Sequence, residues 1–392
     1  MPVSGHLFIH PWFHADETWT GFHIEFCGAE AEFPKALDRL AKHPSVAVLD
    51  HRFQWFVPAT TPEIVASASA LPEGKIVFLV PSPTGATQDI EAGLRQQGAS
   101  LGLLVSPGAP FPPPGKWNCM VFTASHARTL PTYQLHGLAA RSALAVTGLR
   151  SRNDVAWAVD NRFSLVTGEY LLNRSVPSSK PDMMRTRLLK LLALISSDAD
   201  TCEIEEIFRQ EPKLAYGLLR LVNSAAMAPN SPITSFGQAI TMLGRQQLQR
   251  WLQLLVYADP NDGQHPNPLL LQAAARGRLM AALAHRLQPP LATDTPSDAA
   301  FMAGAFSLLD VLLNLSMPEI LQQLPLHHSV HAALEERKGP LGSLLTAISA
   351  ADNRDTAYAS QQLSRIGIDG NTWMAAQLNA LTWASRIRAP SA

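Results

Sequence analysis

Up to about Ser175, short apolar or β-branched runs alternate with amphipathic stretches. Ser45–Leu49 (SVAVL), Lys75–Val80 (KIVFLV), Ser100–Val105 (SLGLLV), Asn118–Thr123 (NCMVFT) and Ala143–Thr147 (ALAVT) read as buried strands. Near-continuous apolar runs suit a parallel sheet covered on both faces. Gln88–Gln97 and Arg152–Val159 read as helices between them, the second with Ser151 as cap. This alternation implies βαβ units, and hence an open sheet or a barrel. Pro110–Pro114 (PFPPP) cannot be helix or inner strand, so it reads as an extended loop, with a polyproline ligand as the alternative.

From Thr186 onward the period becomes helical. Leu188, Leu189, Leu191, Leu192 and Ile195 form one stripe, and Asp200 with Glu203 fits a capping box. Pro212 suits a first helical turn, while Pro232, Ser235 and Gly244 punctuate the next segment. Further helices are expected over Arg245–Tyr257, Pro268–Leu287, Ser297–Leu315, Pro318–Gln323, His328–Arg337, Pro340–Ala351, Thr356–Arg365 and Thr372–Arg388. The polar segment Pro177–Asp182 reads as a linker. It gives an α/β domain over 1–178 and an all-α domain over 179–392.

Composition narrows the function classes. The chain has 392 residues, room for two cores, with 46% hydrophobic and 16% charged residues. A formal net charge of −1 argues against general nucleic-acid binding, which favours a basic excess. Cys27, Cys119 and Cys202 are far apart and form no CxxC pair, so free thiols are expected. The N-terminus lacks a secretory pattern, and windows such as Leu188–Ile195 and Leu308–Leu315 are too short to span a bilayer. A soluble, cytoplasmic protein without membrane insertion is expected.

The densest pattern is Glu211–Trp251. Glu211-Pro212 opens a helix, followed by Leu218-Leu219-Arg220-Leu221-Val222-Asn223-Ser224-Ala225, then Ile233, Ser235, Gln238-Ala239-Ile240 and Leu243-Gly244. Asn223 and Ser224 can bond nearby backbone or, alternatively, a ligand. This ordered set resembles the HDOD family, a metal-free relative of HD phosphohydrolases used in bacterial signalling, over roughly Pro181–Asp352. An HD hydrolase needs a His-Asp pair at a metal, and the chain has no adjacent His-Asp. His285 has no acidic neighbour in sequence. His327 and His331 have a spacing that suits one helix face, but with His328 they read as surface or capping residues. Asp310, inside FSLLDVLLNL, reads as a polar core contact.

Phe301–Leu326 and Gly339-Pro340-Leu341-Gly342 resemble bacterial proteins that join an EAL-like domain to an HDOD domain. EAL domains are TIM-barrel-like cyclic di-GMP phosphodiesterases with acidic metal ligands at strand ends. Leu7–Pro11 through Gly21–Phe26 is similar to the opening of that domain, but His23 stands where the Glu-Ala-Leu word begins and Glu25 is displaced by two. Later strand ends read Val80-Pro81, Val105-Ser106, Phe122-Thr123 and Thr147-Gly148, with Thr167 in place of a Gln. The resemblance implies a reduced TIM-barrel-like, EAL-like domain, too short for eight full units, beside an HD-like helical domain.

Both ligand sets read as lost. The expectation is therefore a non-catalytic signalling scaffold, not an enzyme, with no catalytic, cofactor or metal residues and no cofactor. It would act on other signalling proteins within cyclic di-GMP signalling. Exposed tryptophans would be natural anchors, and Trp373 and Trp383, with Trp251, are the candidates, although aromatics at helical spacing more often serve a core. The loss of polar strand ends argues against cyclic di-GMP binding. The alternatives are a residual metal-dependent cyclic di-GMP phosphodiesterase or a non-hydrolysing cyclic di-GMP receptor.

Overall fold

A computed structural model describes residues 5–49, 53–72, 74–82, 85–108, 117–173, 193, 238, 244–255, 257 and 268–387. Most of Glu211–Trp251 lies outside these residues, as do Cys202, Pro110–Pro114, the Asp200 capping box and the linker near residue 178. The chain forms two compact units. The first comprises Met1–Asn173, Ala350–Ser360 and Asp369–Leu378; the second comprises Arg174–Ser349, Gln361–Ile368 and Asn379–Ala392.

The first unit is a closed eight-stranded barrel: β1 Gly5–His14, β2 Trp19–Gly28, β3 Gln54–Pro58, β4 Ile76–Pro81, β5 Ser100–Leu104, β6 Cys119–Thr123, β7 Ala143–Thr147 and β8 Leu165–Thr167. β1 runs antiparallel to β2 and β8, and all other pairings are parallel. The expected reduction of the barrel is thus corrected, because eight strands do close. Brevity makes this possible, since β3 to β8 have only three to six residues each.

Closure also depends on inward side chains of matched size. Trp12, Phe56, Val77, Leu79, Cys119, Val121, Ala145 and Leu165 form the interior, with Trp12 stacked on Phe56 at 4.6 Å between ring centroids. Glycines make the room: a Cβ on Gly21 would lie 2.5 Å from the Gln54 carbonyl oxygen, and one on Gly102 would lie 2.6 Å from Leu79 Cδ2. Burial pushes the Cys119 thiol up to about 12, so it packs as an apolar group.

The expected strand Ser45–Leu49 is instead a helix, Pro44–Val48. Pro44 sits in its first turn and the His43 ring accepts a hydrogen bond from Ser45 N, so the local start signal overrides a run too short to set a period. The helix Arg152–Asp160 is capped by Ser151 as expected.

β1 and β2 are ten residues each, far longer than their neighbours. Their pairing runs from Gly5↔Gly28 to Phe13↔Trp19, whereas β3 meets β2 only at Gly21–His23. The excess length is a two-stranded ribbon at one end of the barrel. Within the unit, the two late segments pack on it. Ser360 Oγ lies 2.8 Å from His6 Nδ1, Ile9 N donates to Gln377 Oε1 at 3.2 Å, and Trp373 meets Phe8 edge-on at 5.8 Å. Arg39 donates to Asn371 Oδ1 at 2.5 Å.

The second unit is helical in all its described elements. Arg245–Leu255, Pro268–Leu283, Pro296–Phe306, Leu309–Leu313, Met317–Leu321 and His328–Glu336 follow the expected order, and Gly339–Asp352, Thr356–Arg365 and Gly370–Ala384 follow in sequence. Ser316 and Glu319 form a full capping box on Met317–Leu321. Arg250 Nε and Nη2 grip Asp298 Oδ1 at 3.0 and 2.7 Å, in the first turn of Pro296–Phe306. The stretch Pro296–Leu313 is apolar enough to cross a membrane by composition, but it is 61% buried and is split between two helices. The helices Pro268–Leu283 and Pro296–Phe306 touch through their backbones: a Cβ on Gly304 would lie 2.7 Å from the Arg276 carbonyl oxygen and 2.8 Å from Gly277 Cα.

Because backbone must yield there, Gly304→Ala is expected to cost about 1–3 kcal/mol through overpacking. A urea unfolding midpoint equal to that of the wild type would contradict this close approach.

Candidate functional site

In a parallel barrel, the strand ends that carry loops form the mouth where chemistry is placed. Here a cavity of about 400 Å³ opens at those ends, lined by Leu104 at the end of β5 and Val105 after it, Thr123 of β6, Thr147 at the end of β7 and Gly148 after it, and Glu169 after β8. His23 and Glu25 on β2 and Asn353 and Arg354 from the late segment complete the wall. Its size lies in the range of small-molecule pockets.

Most strand ends present short, locally occupied polar groups. Ser82 Oγ donates to the Leu104 carbonyl at 3.1 Å, and Thr147 Oγ1 to the Phe122 carbonyl at 3.4 Å. Thr123 Oγ1 accepts from His126 N at 3.3 Å and caps the short helix after β6. Thr167 Oγ1 is buried without a hydrogen-bond partner.

The charge of the site is concentrated on one side. His23 and Glu25, two apart on β2, share an inward face. His10 is their neighbour, because it pairs with His23 across the β1–β2 ladder. His23 Nδ1 lies 3.3 Å from Glu25 Oε1, and His10 Nε2 lies 3.7 Å from Glu25 Oε2. The Arg354 guanidinium contacts both Glu25 and His23 through Nη2, and its Nε lies 3.9 Å from Glu169 Oε1. The Trp12 ring, part of the barrel interior, lies 5.7 Å from His23.

These contacts set the protonation states. Burial, reinforced by the Arg354 charge, lowers His10 to about 3 against a small opposing effect of Glu25. Burial likewise lowers His23 below its usual value. For Glu25, burial alone would raise the carboxyl, but the His23 hydrogen bond and the neighbouring positive charge outweigh it and hold the group well below the usual carboxylate range. At neutral pH the site holds neutral imidazoles, an ionised Glu25 and a guanidinium.

The sequence had singled out His23 and Glu25 for standing near the expected Glu-Ala-Leu word, and the structure brings them together. It did not single out His10, Glu169 or Arg354 as site residues. Glu169 stands two residues past the end of β8, which is the local signal that could have found it. The residues do not fit a metal pair as they stand. Among the described residues no three His, Cys, Asp or Glu side chains form a metal-binding group, and a guanidinium sits between the two carboxylates.

The other residues noted in sequence lie in the second unit or in cores. His327 caps the helix His328–Glu336, accepting from Ser329 N, and His331 pairs with Glu335 at 3.3 Å. His285 Nε2 meets Ser297 Oγ at 3.0 Å. Asp310 is half-buried and accepts from Val311 N at 2.9 Å, near the buried pair in which Arg276 Nη1 donates to Ser307 Oγ at 2.9 Å. The tryptophan anchors are corrected: Trp373 is fully buried, and Trp251 is buried and stacked on half-buried Trp383 at 5.0 Å. Aromatics at helical spacing here serve cores.

Comparison with known proteins identifies an HDOD domain at residues 180–343. The chain is 30% identical over 220 residues to the cyclic di-GMP phosphodiesterase CdgJ of Vibrio cholerae, covering 53% of this chain and 49% of that protein. It is 24% identical over 265 residues to the uncharacterized protein YuxH of Bacillus subtilis, covering 66% of this chain and 61% of that protein. The alignments thus span about half and about three-fifths of these curated relatives. Among solved structures, the EAL enzyme Bd1971 aligns with a TM-score of 0.35 and 11% identity over 43% of this chain and 61% of that one. The EAL-like domain protein YdiV aligns with a TM-score of 0.34 and 12% identity over 42% and 90%. The chain thus joins a closed eight-stranded barrel to a region that matches the HDOD domain. The expectation that the chain is not an enzyme is corrected by the relative at 30% identity, which is named as a phosphodiesterase.

Proton linkage gives a direct check of the site. Between about pH 6.5 and 3, unfolded His10 takes up a proton that the folded chain refuses, so stability from this source is full above 6.5 and falls as pH falls through that window. Depressed Glu25 adds a loss in the same direction at lower pH. His10→Gln should therefore flatten the decline of the urea midpoint between pH 6.5 and 4.5. An unchanged slope would count against a buried neutral His10.

Proposed function

From a chain that joins an EAL-like barrel to an HDOD domain, we propose that the protein works in cyclic di-GMP signalling. In this proposal its barrel mouth binds the cyclic dinucleotide and hydrolyses one phosphodiester. The observation that carries the reading is the cavity at the strand ends with a buried guanidinium in its wall: Arg354 Nη1 has no hydrogen-bond partner. A planar guanidinium with a free donor is suited to a phosphodiester oxygen. Apolar Leu104, Val105, Val121 and Phe122 offer the base and ribose a dry wall.

Glu169 is the carboxylate best placed to take a proton. It is buried, its Oε2 has no hydrogen-bond partner, and its Oε1 faces Arg354. In the proposed step a water oxygen bonds to phosphorus and its proton passes to Glu169, while the bond from phosphorus to the ribose oxygen of the leaving nucleoside breaks and that oxygen takes up a proton from solvent, giving the linear dinucleotide. Arg354 holds the charge that develops on the phosphoryl oxygens. The name of the curated relative supports this reaction class. Signalling proteins that dock on the HDOD domain belong to the same proposal, on the strength of the domain match.

Calorimetric titration of the full chain with cyclic di-GMP should show micromolar binding, and chromatography should show linear product, with assays run with and without Mg²⁺ or Mn²⁺. Thr147→Phe, which fills the mouth, should abolish binding while leaving the melting transition in place. Binding without product would retire the hydrolysis, and no binding by the folded wild type would retire the reading.

A further inference from the structure

Among the described residues that line the cavity, Arg354 is the one Lys or Arg, and the same wall carries two carboxylates, Glu25 and Glu169. Arg354 Nη2 contacts Glu25, and its Nε lies 3.9 Å from Glu169 Oε1. His10 and His23 stand 3.7 and 3.3 Å from Glu25. They add no compensating charge at neutral pH, because burial holds both below the usual histidine range. Glu25 is held ionised by its neighbours, and Glu169 enters the proposed step ionised because it accepts a proton there. The mouth thus sets two negative charges against one positive charge before any ligand arrives.

Spare donors are as scarce as spare positive charge. Arg354 Nη1 is a buried donor without a partner. Thr147 Oγ1 already donates to the Phe122 carbonyl at 3.4 Å. Thr123 Oγ1 accepts from His126 N and lies 3.2 Å from Ser125 Oγ. Glu169 Oε2 is a buried acceptor without a partner, on a residue only 7% exposed. Negative charge brought to Arg354 therefore meets a carboxylate that water does not screen. A phosphodiester brings one charge. A phosphomonoester brings close to two above its second ionisation, at about pH 6.

We propose that Glu25 and Glu169 are specificity-determining residues that admit a phosphodiester to the mouth and reject a phosphomonoester, with Arg354 as their single counter-charge. This rests on the binding of cyclic di-GMP proposed above and names the phosphate chemistry that the site selects. Hydrolysis leaves the water oxygen on phosphorus, so it converts the accepted group into the rejected one. The linear product is then expelled by charge from the place where it forms.

The test is calorimetric titration of the full chain with three ligands at about pH 8. They are cyclic di-GMP, the linear product with its terminal monoester, and the same linear compound with that phosphate capped as a methyl ester. The two linear compounds differ by one charge and one methyl group. The capped one should bind at least about tenfold more tightly, a difference of about 1.4 kcal/mol. At about pH 5.5 the monoester returns towards a single charge, so the gap should narrow to within about threefold, with the capped compound as control for titration of the protein. Glu25→Gln, checked by its melting transition, should narrow the gap at about pH 8 in the same way; if that variant does not fold, the two linear compounds on wild type still decide. A capped compound that binds no better than the monoester, or a gap that ignores pH, would overturn the proposal while leaving cyclic di-GMP binding intact. An unchanged gap in folded Glu25→Gln would overturn the role of Glu25. No binding of cyclic di-GMP would instead remove the reading on which the proposal rests.

Discussion

A carboxylate removed from water must be matched by positive charge or protonated, and at the barrel mouth this chain matches it with Arg354. The rest of the first unit is arranged around that match. β2 must be long enough to place Glu25 at the mouth, β1 must bring His10 alongside, and a segment more than three hundred residues later must return to deliver the guanidinium. With the charge neutralised locally, the other strand ends can carry hydroxyls and apolar groups that need no counter-ion. Thr123 and Thr147 then spend their hydroxyls on neighbouring backbone atoms.

The second unit rests on a different constraint, close approach of backbone to backbone. Gly304 lets two helices meet at Arg276 and Gly277, where a side chain would run into backbone. Charge is used there at helix ends, as in the grip of Arg250 on Asp298 and the Ser316–Glu319 box. One unit thus holds a buried charge network at a cavity, and the other is specified mainly by shape.

Sequence exposed the strands from β4 to β7 because they are short, apolar and fully buried, so the run itself is the signal. It was poorer at β1 to β3. GHLFIHPWFH and WTGFHIEFCG mix histidine, proline and aromatics, and no simple period marks them, while SVAVL looked like a strand and is a helix. From Arg245 on, the described helices were legible almost element by element, because capping residues and apolar stripes agree with the final packing. At the site, His23 and Glu25 were visible as departures from an expected word. Arg354 was not, since nothing local distinguishes an arginine in ADNRD from a solvated one; its role exists only after the chain has folded back.

The long β1–β2 ribbon has a consequence for how this chain is made. Its partners Ser360, Trp373 and Gln377 are synthesised long after the eighth strand. A nascent chain that has completed all eight strands still lacks the groups that satisfy His6 and Ile9 and cover Phe8. The barrel can therefore reach its final packing only after these late segments have emerged, through a loop closure of very high contact order. Fragments cut after the eighth strand inherit the same exposed ribbon, so the first half of the sequence is a poor stand-in for the first unit of the protein.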